Sequence, residues 1–128
     1  MRHPHKVLVV DDEASILFAM TEYLARVGYE VDSAHGTTEA LMLLAATPYS
    51  VVISDLRLTA THQSDGLDLL AHVRARSPRT RTILLTAYGA TETEQEAQRL
   101  GVDALLSKSQ DLSEIAAVVD RLDPVPVS

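Results

Sequence analysis

The sequence predicts an α/β fold in which a doubly wound, five-stranded parallel sheet is covered by five helices. Short apolar runs, of which Val7–Val10 and Val51–Ile53 are the strongest, are typical of strands buried on both faces of a parallel sheet. Between such runs the apolar period changes to that of an amphipathic helix. Because strands and helices alternate along the chain, we expect right-handed crossovers between neighbouring parallel strands.

The first half of the chain predicts three strands and two helices. The strands cover residues 7–10, 29–33 and 50–54. The first helix covers residues 14–27, and Gly28 is its C-terminal stop. The apolar stripe of this helix consists of Ile16, Ala19, Met20, Tyr23, Leu24 and Val27. The second helix covers residues 38–46, with Thr37 as its N-cap and Thr47-Pro48 as its end.

The second half predicts two more strands and three more helices. A polar stretch from Thr59 to Asp65 precedes a helix over residues 67–76, which Ser77-Pro78 ends. Strands follow at residues 82–85, ending at Thr86, and at residues 103–106. The capping-box spacing of Thr91 and Glu94 opens a helix that Gly101 closes. A similar spacing of Asp111 and Glu114 opens the last helix, which runs to about Leu122.

Composition limits the classes of function. The 128 residues fit a single domain, with a core over about residues 6–122 and a frayed tail over residues 123–128. The formal net charge of −7 argues against direct binding of nucleic acid through a basic surface. No run has the length of a membrane span or of a signal-peptide core, so we expect no membrane association and a cytoplasmic protein.

Acidic residues follow two of the apolar runs directly. Asp11, Asp12 and Glu13 come after the first strand, and Asp55 comes after the third. In a parallel sheet the ligand site lies at the carboxyl ends of the strands. Carboxylates that meet there repel one another unless a cation joins them. The pattern therefore predicts a site for a hard divalent metal ion beside a carboxylate that can do chemistry.

Polar residues also end the last two strands, where Thr86 and Lys108 lie on the same edge of the predicted sheet. Together these strand ends resemble the receiver domain of two-component response regulators, and the resemblance covers nearly the whole chain. The matching stretches are Val7–Glu13, Val52–Leu56, Asp65–Leu70, Ile83–Ala87 and Leu106–Lys108. The resemblance implies a flavodoxin-like (βα)5 fold with strand order 2-1-3-4-5.

The resemblance also implies a role for each residue of the site. Asp55 would be the phosphoacceptor, whose carboxylate oxygen attacks phosphorus and becomes an acyl phosphate. Asp12, with Asp11 through water, would hold Mg²⁺ together with Asp55 and a backbone carbonyl near Arg57. The Lys108 ammonium would contact one phosphoryl oxygen as a point cation, and the Thr86 hydroxyl would reach another phosphoryl oxygen.

The function implied by the resemblance is a phosphoryl-accepting switch. A histidine kinase or a histidine phosphotransfer protein would supply the group, and self-phosphorylation and self-dephosphorylation would be the only enzymatic activities. No output module follows the last helix, so we expect the chain to bind a downstream partner, to pass the group on, or to be the N-terminal piece of a longer regulator. The readout surface, and the surface of a homodimer, would be the face of the fourth helix, fifth strand and fifth helix.

Two other functions compete with the switch. One is a constitutive interaction module of receiver fold that phosphorylation no longer controls. The other is a phosphatase of the haloacid-dehalogenase type, which needs a second Asp two residues after the nucleophile. That position holds Glu13 after Asp11 and Arg57 after Asp55, so the phosphatase pattern fails.

Three departures from the family pattern concern signalling rather than chemistry. The loop over residues 56–65 is longer than usual and lacks the Pro that usually follows the Asp. Leu105 stands where the family usually has Tyr or Phe, which favours a weakened switch. Ser109 replaces a Pro that is often cis, so we expect a trans bond after Lys108. Arg57 and Tyr88 occupy positions that flank the site, and Tyr88 is predicted to screen it from water.

Overall fold

A computed structural model of the protein describes residues 5–58, 65–87 and 91–123. Five parallel strands in this part of the chain form one sheet in the order β2-β1-β3-β4-β5, which confirms the predicted fold class. The strands are β1 (Lys6–Val10), β2 (Glu30–Ala34), β3 (Val51–Asp55), β4 (Arg81–Thr86) and β5 (Ala104–Ser107). The helices are α1 (Ala14–Arg26), α2 (Thr37–Ala46), α3 (Asp65–Arg76), α4 (Thr91–Leu100) and α5 (Leu112–Leu122).

The sheet separates two hydrophobic cores. Side chains alternate between the faces of a strand, so Val7 and Val9 of β1 pack into one core while Leu8 and Val10 pack into the other. Residues of α1 and α5 complete the first core, and residues of α2, α3 and α4 complete the second. Helices on both sides explain why the central strands are apolar throughout rather than alternating.

The strand register brings the predicted site residues to one edge of the sheet. Val10, the last residue of β1, pairs with Ser54 of β3. Asp55 therefore follows at the edge just beyond β1, where the chain continues into Asp11. On the other side of β3, Thr86 of β4 pairs with Ser107 of β5, and Lys108 comes next. The carboxyl ends of these four strands thus surround a common space.

Two glycines end helices as the sequence predicted. Gly28 follows α1 with a φ of 114°, and Gly101 follows α4 with a φ of 79°. In both cases the next residue donates its N–H to a carbonyl five residues earlier, from Tyr29 to Leu24 (3.1 Å) and from Val102 to Ala97 (3.0 Å). This is the Schellman arrangement, which needs a residue that tolerates positive φ.

Local details of two helices differ from the prediction. Thr37 is not an N-cap, because α2 begins at Thr37 and Gly36 occupies the cap position without a side-chain hydrogen bond. The Glu39 carboxylate accepts instead from the backbone N–H of His35, at 2.7 Å. In α1 the predicted stripe is wrong at Val27, which is the exposed C-cap. Leu17, absent from the predicted stripe, is buried.

Some predictions fall on residues outside the described ranges. They concern Tyr88, the loop residues 59–64 and the tail from residue 124. Within the described residues, no helix is long and apolar enough to cross a membrane.

Candidate functional site

Three carboxylates converge at the carboxyl edge of the central strands. Asp55 ends β3 and is 7% exposed, and Asp11 follows β1 and is 0% exposed, whereas Asp12 beside it is exposed. Each contributes an oxygen to a group whose members lie within 4.8 Å of one another. The structure therefore assembles the acidic cluster that the two apolar runs predicted.

The donor set of this cluster fits a hard divalent cation. All three side chains offer carboxylate oxygens, the ligands that Mg²⁺ and Ca²⁺ prefer. The Asp11 Oδ2 atom is buried and has no hydrogen bond within the described residues. It forms an ion pair with the Lys108 ammonium, whose nitrogen lies 3.2 Å away. A buried carboxylate oxygen without a hydrogen bond is costly, and a bound cation would offset that cost.

Lys108 reaches these carboxylates from the end of β5. Its Nζ atom lies 3.0 Å from Asp55 Oδ2, 3.2 Å from Asp11 Oδ2 and 3.2 Å from Glu13 Oε1. The side chain is only 13% exposed, so solvent screens these contacts less than it would at the surface. Lys108 and Asp55, which were expected on the same edge of the sheet, are thus in direct contact.

Burial and neighbouring charges shift the pKa values of the site's ionisable groups. Burial raises the pKa of Asp55, the hydrogen bond from Lys108 opposes this, and the nearby Asp11 charge raises the pKa further. Burial likewise raises the pKa of Asp11, against the backbone hydrogen bond from Glu13 and the contact with Lys108. Burial alone would lower the pKa of Lys108, but Asp55 and Asp11 outweigh it and the pKa lies above its ordinary value.

Thr86 and Arg57 are also brought to this edge. Thr86 is buried at the end of β4, and its carbonyl accepts the backbone N–H of Lys108 at 2.9 Å. This bond links the ends of β4 and β5 directly. The Arg57 side chain is exposed, while its backbone N–H donates to the Asp55 carboxylate and lowers the pKa of that group. All residues predicted for the site therefore lie near Asp55 or on the strand ends beside it.

Gly66 lies against the backbone of Asp55, and the sequence alone did not indicate why this position requires glycine. A Cβ atom at Gly66 would overlap the Asp55 carbonyl oxygen and lie 2.7 Å from the Asp55 carbonyl carbon. The Gly66 N–H also donates to the Leu56 carbonyl at 2.9 Å. The start of α3 can therefore approach the Asp55 backbone only because residue 66 has no side chain. The Asp-Gly pair before a helical run was the available signal.

Glu13 was likewise missed as a contact of Lys108. In the sequence it belonged to the acidic group after β1, and nothing local indicated that its side chain would reach residue 108. The contact joins residues 95 positions apart. Only the packing of β5 beside the central strands brings the two together.

The turn after Lys108 has an arrangement of its own. All peptide bonds of the described residues are trans, which confirms the expectation for Lys108–Ser109. The hydroxyls of Ser107 and Ser109 lie 2.7 Å apart, and the Gln110 side-chain carbonyl accepts the Ser107 N–H at 3.0 Å. Leu105 is part-buried and packs against the core on the side of α2, α3 and α4. Polar side chains thus hold the turn at Ser109, where the resemblance implied a Pro.

A family model described as "Response regulator receiver domain" matches residues 7–120. The response regulator PilR of Pseudomonas aeruginosa is 34% identical over 89% of this chain, which spans 25% of PilR. Sporulation initiation phosphotransferase F of Bacillus subtilis is 28% identical, with 94% of each chain covered. A solved response regulator of Burkholderia pseudomallei, with a phosphorylated aspartic acid, calcium ion and citrate, has a TM-score of 0.81 at 32% identity, covering 89% of this chain and 65% of that chain.

Proposed function

The chain belongs to the family of response regulator receiver domains, the phosphorylatable switches of two-component systems, and we propose that Asp55 is its phosphoacceptor. The observation that carries the proposal is the Asp55 carboxylate itself. It is nearly buried at a strand end, 3.0 Å from the Lys108 ammonium and beside two further carboxylates. A histidine kinase or a histidine phosphotransfer protein is the proposed donor.

The proposed chemistry is an in-line transfer to a carboxylate oxygen of Asp55. That oxygen attacks phosphorus, a P–O bond forms, and the P–N bond to the donor imidazole breaks with its electron pair leaving on nitrogen. Lys108 already lies within hydrogen-bond distance of Asp55, so its ammonium can follow the charge from the carboxylate onto the phosphoryl oxygens. Thr86, at the neighbouring strand end, is the proposed hydroxyl partner of another phosphoryl oxygen.

Mg²⁺ is the proposed cofactor. Asp11, Asp12 and Asp55 would hold it, with the backbone carbonyl of Arg57 as a fourth protein ligand. When bound, the ion neutralises charge on both the Asp55 carboxylate and the phosphoryl group, which otherwise repel each other. The related structure from Burkholderia pseudomallei contains a phosphorylated aspartic acid and a calcium ion, which supports the proposal of a divalent cation in this chain.

The proposed readout is the face formed by α4, β5 and α5. Phosphorylation adds charge at Asp55, and Thr86 and Lys108 carry that change to the ends of β4 and β5. A downstream partner, an output domain or a second copy of this chain would bind that face. The chain spans only a quarter of PilR, so attachment to an output domain is one of the proposed arrangements.

A constitutive interaction module is the second candidate, and Leu105 and Ser109 favour it. Leu105 has neither a ring nor a hydroxyl with which to report a change at Thr86, and it already packs against the core. In this alternative the fold presents the same binding face whether or not Asp55 is modified.

Incubation with Mg²⁺ and acetyl phosphate, followed by intact-mass measurement, tests the phosphoacceptor. We expect the native protein to gain the mass of one phosphoryl group and Asp55→Asn to gain none. Asp68→Asn, which changes an exposed Asp of α3, is the matched control and should behave as the native protein. A native protein that gains no mass would contradict the proposal and favour the constitutive module. An equal gain in Asp55→Asn would contradict the proposal by showing that another residue is the acceptor.

A further inference from the structure

Glu13 contacts the ammonium of Lys108 from the exposed rim of the site. Its Oε1 atom accepts a hydrogen bond from Lys108 Nζ at 3.2 Å, although the Glu13 side chain is 58% exposed. The other two carboxylates on Lys108, those of Asp11 and Asp55, are almost completely buried. Glu13 is therefore the only one of the three described partners that can swing into solvent without moving the backbone.

Stabilisation of α1 does not explain why a glutamate occupies position 13. Glu13 occupies the N-cap position of α1, with φ −89° and ψ 110°, and its side chain makes no capping hydrogen bond. Ser, Thr, Asp and Asn are the residues that cap helices well, because their short side chains reach the free N–H groups. An ion pair with an exposed partner also contributes little to folding. The reach of Glu13 to Lys108 thus points to the chemistry of the site.

Three carboxylates lie within 3.2 Å of Lys108 Nζ. Glu13 and Asp55 accept hydrogen bonds from two of its three N–H donors, and Asp11 forms an ion pair with it. A phosphoryl group on Asp55 needs at least one of those donors. We propose that Glu13 competes with the phosphoryl group for Lys108 and so slows phosphoryl uptake at Asp55. This inference rests on the proposed function. Because Asp11 and Asp55 are fixed in the interior, Glu13 is the partner that must give way.

The length of the Glu13 side chain offers a sharp test. Glu13→Asp keeps the charge and the N-cap position but is one methylene shorter, so it loses the contact with Lys108. Glu13→Gln loses the charge and weakens the contact. Glu22→Gln removes one charge from an exposed position of the same helix and is the matched control. The readouts are the rate of mass gain from acetyl phosphate at saturating Mg²⁺ and the thermal unfolding midpoint of each variant.

We expect both Glu13 variants to take up the phosphoryl group roughly two- to fivefold faster than the native protein, the size of effect that one exposed ion pair supplies. Glu22→Gln should keep the native rate. Glu22→Gln and Glu13→Gln should unfold near the native temperature, and Glu13→Asp should unfold at or above it, because Asp is a good N-cap residue. A faster Glu13→Gln with an unchanged Glu13→Asp would show that charge alone matters and would overturn the competition for Lys108. Unchanged rates in both Glu13 variants would also overturn it. A native protein that gains no mass would instead refute the proposed function, and with it this inference.

Discussion

At the scale of single residues, the site brings four carboxylates and one ammonium group close together. Asp11 and Asp55 are buried and Lys108 is nearly so, while Asp12 lies exposed beside them. Burial disfavours ionised carboxylates, and the shared contact with Lys108 only partly offsets this. The negative charge of the site therefore exceeds its positive charge until a further cation enters it.

Binding of Mg²⁺ should stabilise the folded protein, because the three carboxylates meet only in the folded state. A ligand that binds the native state alone adds about 2.7 kcal/mol to the free energy of unfolding at 100 times its Kd. We expect the thermal unfolding midpoint of the native protein to rise as MgCl2 is titrated in. Asp12→Asn should flatten this rise, whereas Asp68→Asn should not. A native midpoint that does not respond to Mg²⁺ would contradict the proposed metal site.

The raised pKa of Asp11 gives the metal-free protein a specific pH dependence. The folded state holds this proton more tightly than the unfolded chain, whose pKa lies near the ordinary 3.8. Stability therefore falls as the pH rises from that value through the raised folded-state value. Asp11→Asn lacks this loss, so the difference between its free energy of unfolding and that of the native protein should move in favour of the variant as the pH rises above 3.8. Urea unfolding in EDTA measures the difference, and a difference constant with pH would contradict it.

At the scale of elements, the site depends on how closely α3 and the strand ends approach one another. The first turn of α3 lies against the carbonyl of Asp55 at Gly66, and the Asp65 carboxylate accepts the Leu58 N–H at 2.6 Å. On the other side, the Lys108 N–H bonds to Thr86 and so joins the ends of β4 and β5. These backbone contacts fix the directions of Asp55 and Lys108.

Gly66→Ala should damage the site by steric overlap with the Asp55 backbone. Overpacking of this kind costs about 1–3 kcal/mol, and relief of the overlap must displace either α3 or the end of β3. We expect a lower urea midpoint and slower phosphoryl uptake. Gly36→Ala is the matched control, because an added Cβ there meets nothing within 4 Å and its φ of −169° suits any residue. Equal stability of the two variants would rule out the overlap.

At the scale of the whole molecule, two cores on opposite faces of one sheet hold the site edge in place. The apolar side chains of β1, β3 and β4 are at most 1% exposed and point alternately into the two cores, so each of these strands belongs to both cores at once. Displacement of one strand therefore disturbs the packing on both faces. This is the reason that four separate strand ends can present their polar residues in a fixed arrangement.

The two cores predict which side-chain truncations lower the free energy of unfolding. Ile53 of β3 is completely buried, and Ile53→Ala should lower the free energy of unfolding by about 2–5 kcal/mol. Met42 of α2 is 69% exposed, and Met42→Ala should change it by less than about 0.5 kcal/mol. Denaturant unfolding at one pH compares the two variants. Similar losses would mean that the sheet does not carry the stability of the fold.

The sequence by itself determined the alternation of strands and helices, the glycine stops after α1 and α4, and the presence of acidic residues at the ends of β1 and β3. These features follow from apolar periodicity and local backbone conformation, which depend on near neighbours in the chain. Competition between neighbouring residues for the N-cap position explains the difference at the start of α2. Gly36 precedes α2 and Glu39 reaches back to His35, so Thr37 is not needed as a cap.

Only the tertiary structure decided how the site is put together. The contact of Glu13 with Lys108 and the approach of Gly66 to Asp55 join residues that are distant in the chain or separated by a loop. Neither leaves a periodic signal, because each depends on the strand order and on the distance between elements. The chain thus specifies which charges the site holds, and the packing of the sheet and α3 determines which of them touch.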